Sequence, residues 1–596
     1  MRRLLGTITL VCCVSTGAAA ENLAGNGGFS EGLANWRLNG QARQADIAVS
    51  AEAGVLRVAV PDTAEVGWYS VTQRIPAAPG QRFVADCDVL ASDMRDGAGA
   101  VLGLWFQDAA GKRIHHASAF MPRCRNWVPM RVHGVAPGDA AFAAVALSAN
   151  GHGEAAFRRV RLARAPTPQP KPLDGGVTLT IADPPSAHPF IGIGAEDDGF
   201  FYNNQNAEQG VDAAAIALRE KRIEFLDPDW VRMFAWYRDW NPALDGETFT
   251  WDSSNMRSRR RSLDLYQRLG ARVALCGVEW TYADRLVDQP ENVARAVGAL
   301  LEHLIADNGY TCIQDWTLTN EPNLSFIRYK GASFALFRKL HRLVRGQCRD
   351  RGIEVNIVGS DDGNGFGWFS QCVGDPAYRE LPALYASHFY VPAHALPLGA
   401  AQTRDRIALL REHGVDAPFV IGELGVRDHR TQPPADNPYM REYGYALDLQ
   451  TLLIDALAAG ASGASVWCMH EVYYPGTKTP MHFGLWDFGG GWTLRPVFHA
   501  VAAFTRNTEA GEPLHAVASS HPQSVRAIVV GDTLLWANRA ADTIAMRIEP
   551  PRGGAGRTYA EDSGFTRLET GTPVTFAPGN EFAVPPRSFG FVNLKP

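Results

Sequence analysis

Eight short β-prone runs separated by helical patterns fill residues 189–470, and no other feature narrows the possible folds as much. The runs are PFIGIGAE (189–196), DWVRMFAW (229–236), ARVALCGVEW (271–280), IQDWTLTNE (313–321), EVNIVGSDD (354–362), LYASHFYV (384–391), PFVIGELG (418–425) and ASVWCMH (464–470). Between them, ENVARAVGALLEHLIAD (291–307) places Val293, Val297, Leu300, Leu301 and Leu304 on one helical face. YALDLQTLLIDALAAG (445–460) is a second helical run, closed by glycine. Eight strand–helix units predict a (β/α)8 TIM barrel. The competing open doubly wound sheet carries a glycine-rich phosphate turn after its first strand. Here that turn reads GIGAEDDG, which is acidic and unsuited to a pyrophosphate.

The barrel is flanked. Before it, short alternating runs such as VLRVAV, WYSVTQRI and AVLGLWF are broken by APG, DGAG and DAAGK, the rhythm of a β-sandwich over 21–163. RAPTPQPKP (164–172) is a stiff proline-rich linker. The barrel segment runs over 173–507, with 173–185 free to join a small C-terminal β-sandwich at 508–596. Residues 1–20 read as a signal peptide: Arg2 and Arg3, then LLGTITLVCCVSTG, then AAA. The apolar run is too short to span a membrane, and Val11 before Cys12 is a poor lipoprotein signal. Export to the periplasm or the outside is therefore expected.

A net charge of -6, with no basic block longer than RSRRR (257–261), argues against nucleic acid as a partner. A membrane partner is likewise not expected. Beyond Cys12 and Cys13 the cysteines are scattered without a CxxC pair, which speaks against a zinc site or a disulfide framework; one isolated bridge stays open. The 16 histidines show no HExxH or similar spacing, so no catalytic metal or cofactor is expected. A structural calcium in the N-terminal sandwich is compatible with the sequence.

Active sites of such barrels sit at the C-terminal ends of the strands. Glu321 ends the fourth run and Glu423 the seventh, in VIGELG. Two carboxylates across one cleft are what glycoside hydrolysis requires. Asn320 can bond a sugar hydroxyl, and Arg232 can hold a nucleophilic carboxylate ionised. Tyr390 can donate to the same carboxylate, and His388, on the same strand face, can position the acid. Trp467 can form a platform beneath a sugar ring, with Trp236, Trp280 and Tyr282 further along the cleft. Asp197 and Asp198 suit either the outer hydroxyls of a terminal sugar or a helix cap. Asp361 and Asp362 read as a solvated loop, and His470 and Glu471 as either substrate contacts or loop.

TLTNEPN, SHFY, VIGELG and SVWCMH resemble the strand ends of glycoside hydrolase clan A, the retaining (β/α)8 superfamily with cellulase-like, xylosidase-like and glucosylceramidase-like families. The resemblance spans about 186–507 and leans toward family 39 and its neighbours. It implies Glu321 as acid/base and Glu423 as nucleophile in a double displacement on a β-linked polysaccharide or oligosaccharide. NLAGNGGFSEGLANWRLNG and YSVTQRIPAAPGQRFVADCDV resemble the opening of jelly-roll carbohydrate-binding modules, with Phe29 and Trp36 as core. A transglycosidase and a non-catalytic carbohydrate-binding protein share these residues and stay open as alternatives.

Overall fold

The computed structural model describes residues 21–595 except 45, 167–172, 174–175, 279–282 and 428–435. The expected signal peptide, most of the proline-rich linker, Trp280 and Tyr282 thus lie outside the described residues. The chain is multidomain, with three sheets of eight, eight and nine strands.

The central sheet contains β1 (Gly192–Ala195), β2 (Trp230–Trp236), β3 (Arg272–Val278), β4 (Ile313–Thr317), β5 (Asn356–Gly363), β6 (Leu384–Pro392), β7 (Phe419–Arg427) and β8 (Gly463–Val466). Every pairing is parallel, in the order β1-β8-β7-β6-β5-β4-β3-β2. The two ends of that order meet: Asp197 bridges Met233, and its N–H donates to the Arg232 carbonyl at 2.8 Å. The sheet is therefore barrel-like. Its strands are buried on both faces, which is why they read as near-continuous apolar runs. Helices such as Ala213–Leu226, Ser254–Leu269, Pro290–Leu301 and Tyr443–Ala458 lie between them in the chain.

Val177–Ile181, just ahead of the barrel, pairs with Leu514–Ser519 and Ile544–Glu549 in the C-terminal nine-stranded sheet. One apolar cluster runs from Val466 and Phe498 of the barrel to Ile528, Leu535 and Phe589 of that sheet. The N-terminal eight-stranded sheet has its own core, which includes Phe29 and Trp36 with ring centroids 5.3 Å apart. Two long strands, Arg82–Gln107 and Phe142–Ala165, pair antiparallel along most of their lengths. Polar contacts join this sheet to the barrel: Arg131 (3.1 Å) and His133 (2.6 Å) both meet Asp405. No helix among the described residues is long and apolar enough to cross a membrane. All seven cysteines of the described chain are buried free thiols.

Strand parity corrects the expectation for Asp197. Side chains alternate across a strand, so Glu196 and Asp198 turn inward while Asp197 faces the helix layer. There its carboxylate pairs with Arg219 and accepts from Tyr266 Oη at 2.8 Å, all three side chains being buried. Arg219 in turn lies against the Phe201 and Tyr202 rings. Asp197 anchors helices to the sheet and does not face a substrate. Asp197→Ala leaves a buried guanidinium without its carboxylate, and denaturant unfolding is expected to show a loss of about 3–5 kcal/mol. A loss below about 1 kcal/mol, the size of a surface ion pair, would contradict this placement.

Candidate active site

β1, β3, β4, β5 and β7, or the residues just beyond them, bring five side chains to the buried guanidinium of Arg232 on β2. Arg232 on β2 donates through Nη1 to Glu423 Oε1 and Glu196 Oε2, both at 2.9 Å. Its Nη2 donates to Asp361 Oδ2 at 2.7 Å and Asn320 Oδ1 at 2.8 Å, with Cys276 Sγ at 3.0 Å. Tyr390 Oη donates to the other oxygen of Glu423 at 2.6 Å. Opposite, the His388 ring contacts Glu321 Oε1 through Nδ1 and Asp361 Oδ1 through Nε2, each at 3.1 Å. His388 Nδ1 also lies 3.5 Å from Glu423 Oε2. One oxygen each of Glu321 and Glu423 and a nitrogen of His388 fall within 4.8 Å of one another.

The string Asn320-Glu321-Pro322-Asn323 is now intelligible residue by residue. Asn320 leaves β4 with its N–H on the Gly277 carbonyl (3.0 Å) and its side-chain oxygen on Arg232. Pro322 bars the residue before it from the right-handed helical region, and Glu321 adopts φ 46°. Asn323 clips the loop to β5, donating to the Gly363 carbonyl (3.1 Å) and accepting from its N–H (2.9 Å). Gly363 also makes the room: a Cβ there would lie 2.4 Å from Glu321 Oε1. Asp361 likewise sits at positive φ (50°), so two of the acids are held in sparsely populated backbone conformations at the strand ends.

Burial and charge divide the acids. The Asp361 carboxyl is fully buried, which alone would raise its pKa; Arg232 and His388 outweigh that and hold it at about 2. Burial works against a charged His388, but the Glu423 and Asp361 carboxylates prevail and raise its pKa well above the ordinary range. Glu196 goes the other way: burial, with Glu423 and Asp361 adding, pushes it up to about 8 despite Arg232. Its Oε1 meets no partner among the described residues, the place for that proton. Asp198 is also pushed well above the usual carboxylate range, first by burial and then by Glu196, while it accepts from Tyr474 Oη at 2.6 Å. Glu321 is the most open of the set, its side chain 24% exposed against 6% for Glu423.

Glu321, His388 and Glu423 are also the cluster among the described residues that could hold a metal ion. Its chemistry is poor for one. A charged imidazole donates from both nitrogens and offers no lone pair, and Arg232 already supplies positive charge to Glu423. No comparable cluster lies in the N-terminal domain among the described residues, where the sequence left room for calcium.

Other expectations need correction. Asp361 is not a solvated loop residue but an ion-paired member of the site, and Asp362 is buried outside it on Arg406 (2.9 Å). His470 and Glu471 are loop residues beyond β8, as one of their two readings has it, but buried ones held by other protein side chains. His470 is buried, stacked on Phe201 with centroids 4.9 Å apart. Glu471 is ion-paired with Arg495. Trp467 is 7% exposed, with its ring 5.5 Å from Phe234. Trp236 stacks with Tyr474 near Asp198. Sequence reading missed Glu196, Cys276 and Tyr474. The inward parity shared by Glu196 and Asp198 was the available signal for Glu196.

No family model matches the sequence, and no curated protein is similar to it. Solved structures resemble it in fold. The catalytic domain of GH30 xylanase C from Talaromyces cellulolyticus is 13% identical, with a TM-score of 0.53 over 70% of this chain and 100% of that one. The GH30 subfamily 8 xylanase Xyn30A from Clostridium acetobutylicum is 12% identical, with a TM-score of 0.50 over 71% and 100%. The endo-β1,6-glucanase BT3312 is 11% identical, with a TM-score of 0.50 over 83% and 99%. The likeness is one of fold, and it does not single out one family.

The protonated Glu196 has a consequence for stability. Its ordinary pKa of 4.5 rises to about 8 on folding, so folding takes up a proton between those values. The contribution is complete below pH 4.5 and is lost as pH rises through about 8. Glu196→Gln should therefore show a flatter fall of unfolding free energy across that window than the parent chain. Parallel pH–stability curves would contradict a protonated Glu196.

Proposed function

We propose that this chain is an exported, retaining glycoside hydrolase built on a (β/α)8 barrel between two β-sandwiches, the first jelly-roll-like. It acts on β-linked polysaccharide or oligosaccharide chains. The observation that carries the reading is the approach of Glu321 and Glu423 oxygens to within 4.8 Å. Retaining enzymes hold their carboxyl groups about 5–5.5 Å apart, and inverting ones need about 6.5–9.5 Å to admit a water between.

Their surroundings assign the roles. Glu423 is nearly buried, bonded to Arg232 and Tyr390, and faces the charged His388. Those bonds hold both of its oxygens in place, as a positioned nucleophile needs. Glu321 reaches solvent and can exchange a proton with water between steps. Glu423 Oε attacks the anomeric carbon while protonated Glu321 gives its proton to the departing oxygen. The glycosidic bond breaks and an ester to Glu423 forms. Glu321, now a carboxylate, takes a proton from water, whose oxygen attacks the same carbon. The ester opens, the sugar leaves with its original configuration, and Glu423 and Glu321 return to their starting states. Asp198, whose Oδ2 meets no partner among the described residues, is placed to bond a sugar hydroxyl, with Trp236 and Trp467 as apolar walls.

Variants of the two glutamates separate these roles on an aryl β-glycoside with a good leaving group. Glu423→Ala should lose hydrolysis and regain turnover with azide, giving the glycosyl azide of inverted configuration. Glu321→Ala should lose about 10²–10⁴-fold on poor leaving groups and with azide give the azide of retained configuration. Ordinary hydrolysis by Glu423→Ala would end the reading.

A further inference from the structure

The N-terminal sheet carries a groove of about 860 Å³ that no step above uses. Ser70 and Ser148, buried and bonded to each other at 2.8 Å, lie in it, with Trp68 beside them at 46% exposure. Val66 and Trp68 are the large hydrophobic side chains left exposed among the described residues. A lone exposed apolar residue is ordinary, but this tryptophan lines a groove within the size range of ligand sites.

The groove is built on the N-terminal sheet, and one residue of the barrel segment reaches it. Arg328 lines it from the barrel side, in the short turn Phe326–Arg328 that follows Glu321. A second cavity of about 220 Å³ shares His116, Ser118 and Phe120 with it and reaches Tyr390, the donor to Glu423. The two cavities thus lie against the turn that follows Glu321 and against Tyr390, which bonds Glu423.

Its chemistry narrows the occupant. An apolar ring beside hydroxyl and amide groups matches a sugar, which has one apolar face and a polar edge. Trp105 lies flat over Gly103, where a Cβ would come 2.7 Å from Nε1, and Arg113 stacks on that indole at 4.9 Å. Neither Arg113 nor Arg328 is paired with a carboxylate among the described residues, whereas Asp96 in the groove already meets His152 at 2.9 Å. Two unpaired guanidinium forks favour a carboxylate-bearing ligand.

Resting on the proposed reaction, we infer that this groove is a distal binding surface for the polysaccharide chain cleaved at the barrel, and that Arg113 and Arg328 select chains carrying uronate carboxylates. The test uses the full chain and three variants: Trp68→Ala, Arg113→Met and Arg328→Met. On a long uronate-bearing glycan each should raise KM by about tenfold, with kcat and aryl-glycoside turnover unchanged. On a neutral glycan of equal length only Trp68→Ala should do so. Unchanged KM in all three would overturn the groove's role; equal effects of the arginine variants on both glycans would overturn carboxylate selection. Should the parent chain cleave no glycoside, the proposed reaction fails, and retardation in a gel containing a uronate polysaccharide still decides the groove. The parent should be retarded and Trp68→Ala not; a parent that runs freely overturns the inference.

Discussion

The site is organised by one buried cation. Arg232 reaches Glu196, Asp361, Glu423 and Asn320 from the second strand, and none of these groups faces open water. A guanidinium taken out of water is costly unless its donors are met. Here four of them are, by side chains from β4, β5 and β7 and from the end of β1. The register of the parallel strands and the chemistry of the cleft are therefore one constraint. A slip in any strand would bury a charge without its counter-charge.

The charges close within the site. Arg232 and His388 supply two positive groups; Asp361 and, in the proposed reaction, Glu423 supply two negative ones. Glu196, pushed up to about 8, keeps its proton, and Asp198 is shifted in the same direction by burial. Glu321, the group whose proton moves in the proposed reaction, is the one acid of the set with substantial access to solvent. Asp361 has a particular part in this arrangement. It touches both cations, and by bonding His388 Nε2 it aims Nδ1 at the gap between the two glutamates. A carboxylate that contacts no substrate can in this way fix both the charge and the direction of groups that do.

Much of this was legible in the chain because strand ends in a parallel barrel are chemically exceptional. A carboxylate after an apolar run, as at Glu321 and Glu423, has few reasons to exist other than use. What stayed hidden depended on partners distant in sequence. Asp361 and Asp362 look alike as neighbours, yet one turns inward to Arg232 and the other outward to Arg406. Asp197 and Asp198 part in the same way, to Arg219 and Tyr474. Alternation separates such pairs only once the phase of a strand is fixed. The groove on the N-terminal sheet could not be read at all, since Trp68, Trp105 and Arg328 come from three separate stretches of chain.

The central claim is that two acids this close act by double displacement. It is tested most directly by following the first-formed product of a β-glycoside by proton NMR before mutarotation sets in. The arrangement of Glu321, His388 and Glu423 predicts that the β-anomer appears first. The α-anomer as first product would contradict it, because the gap between the two carboxylates would then have to admit the attacking water.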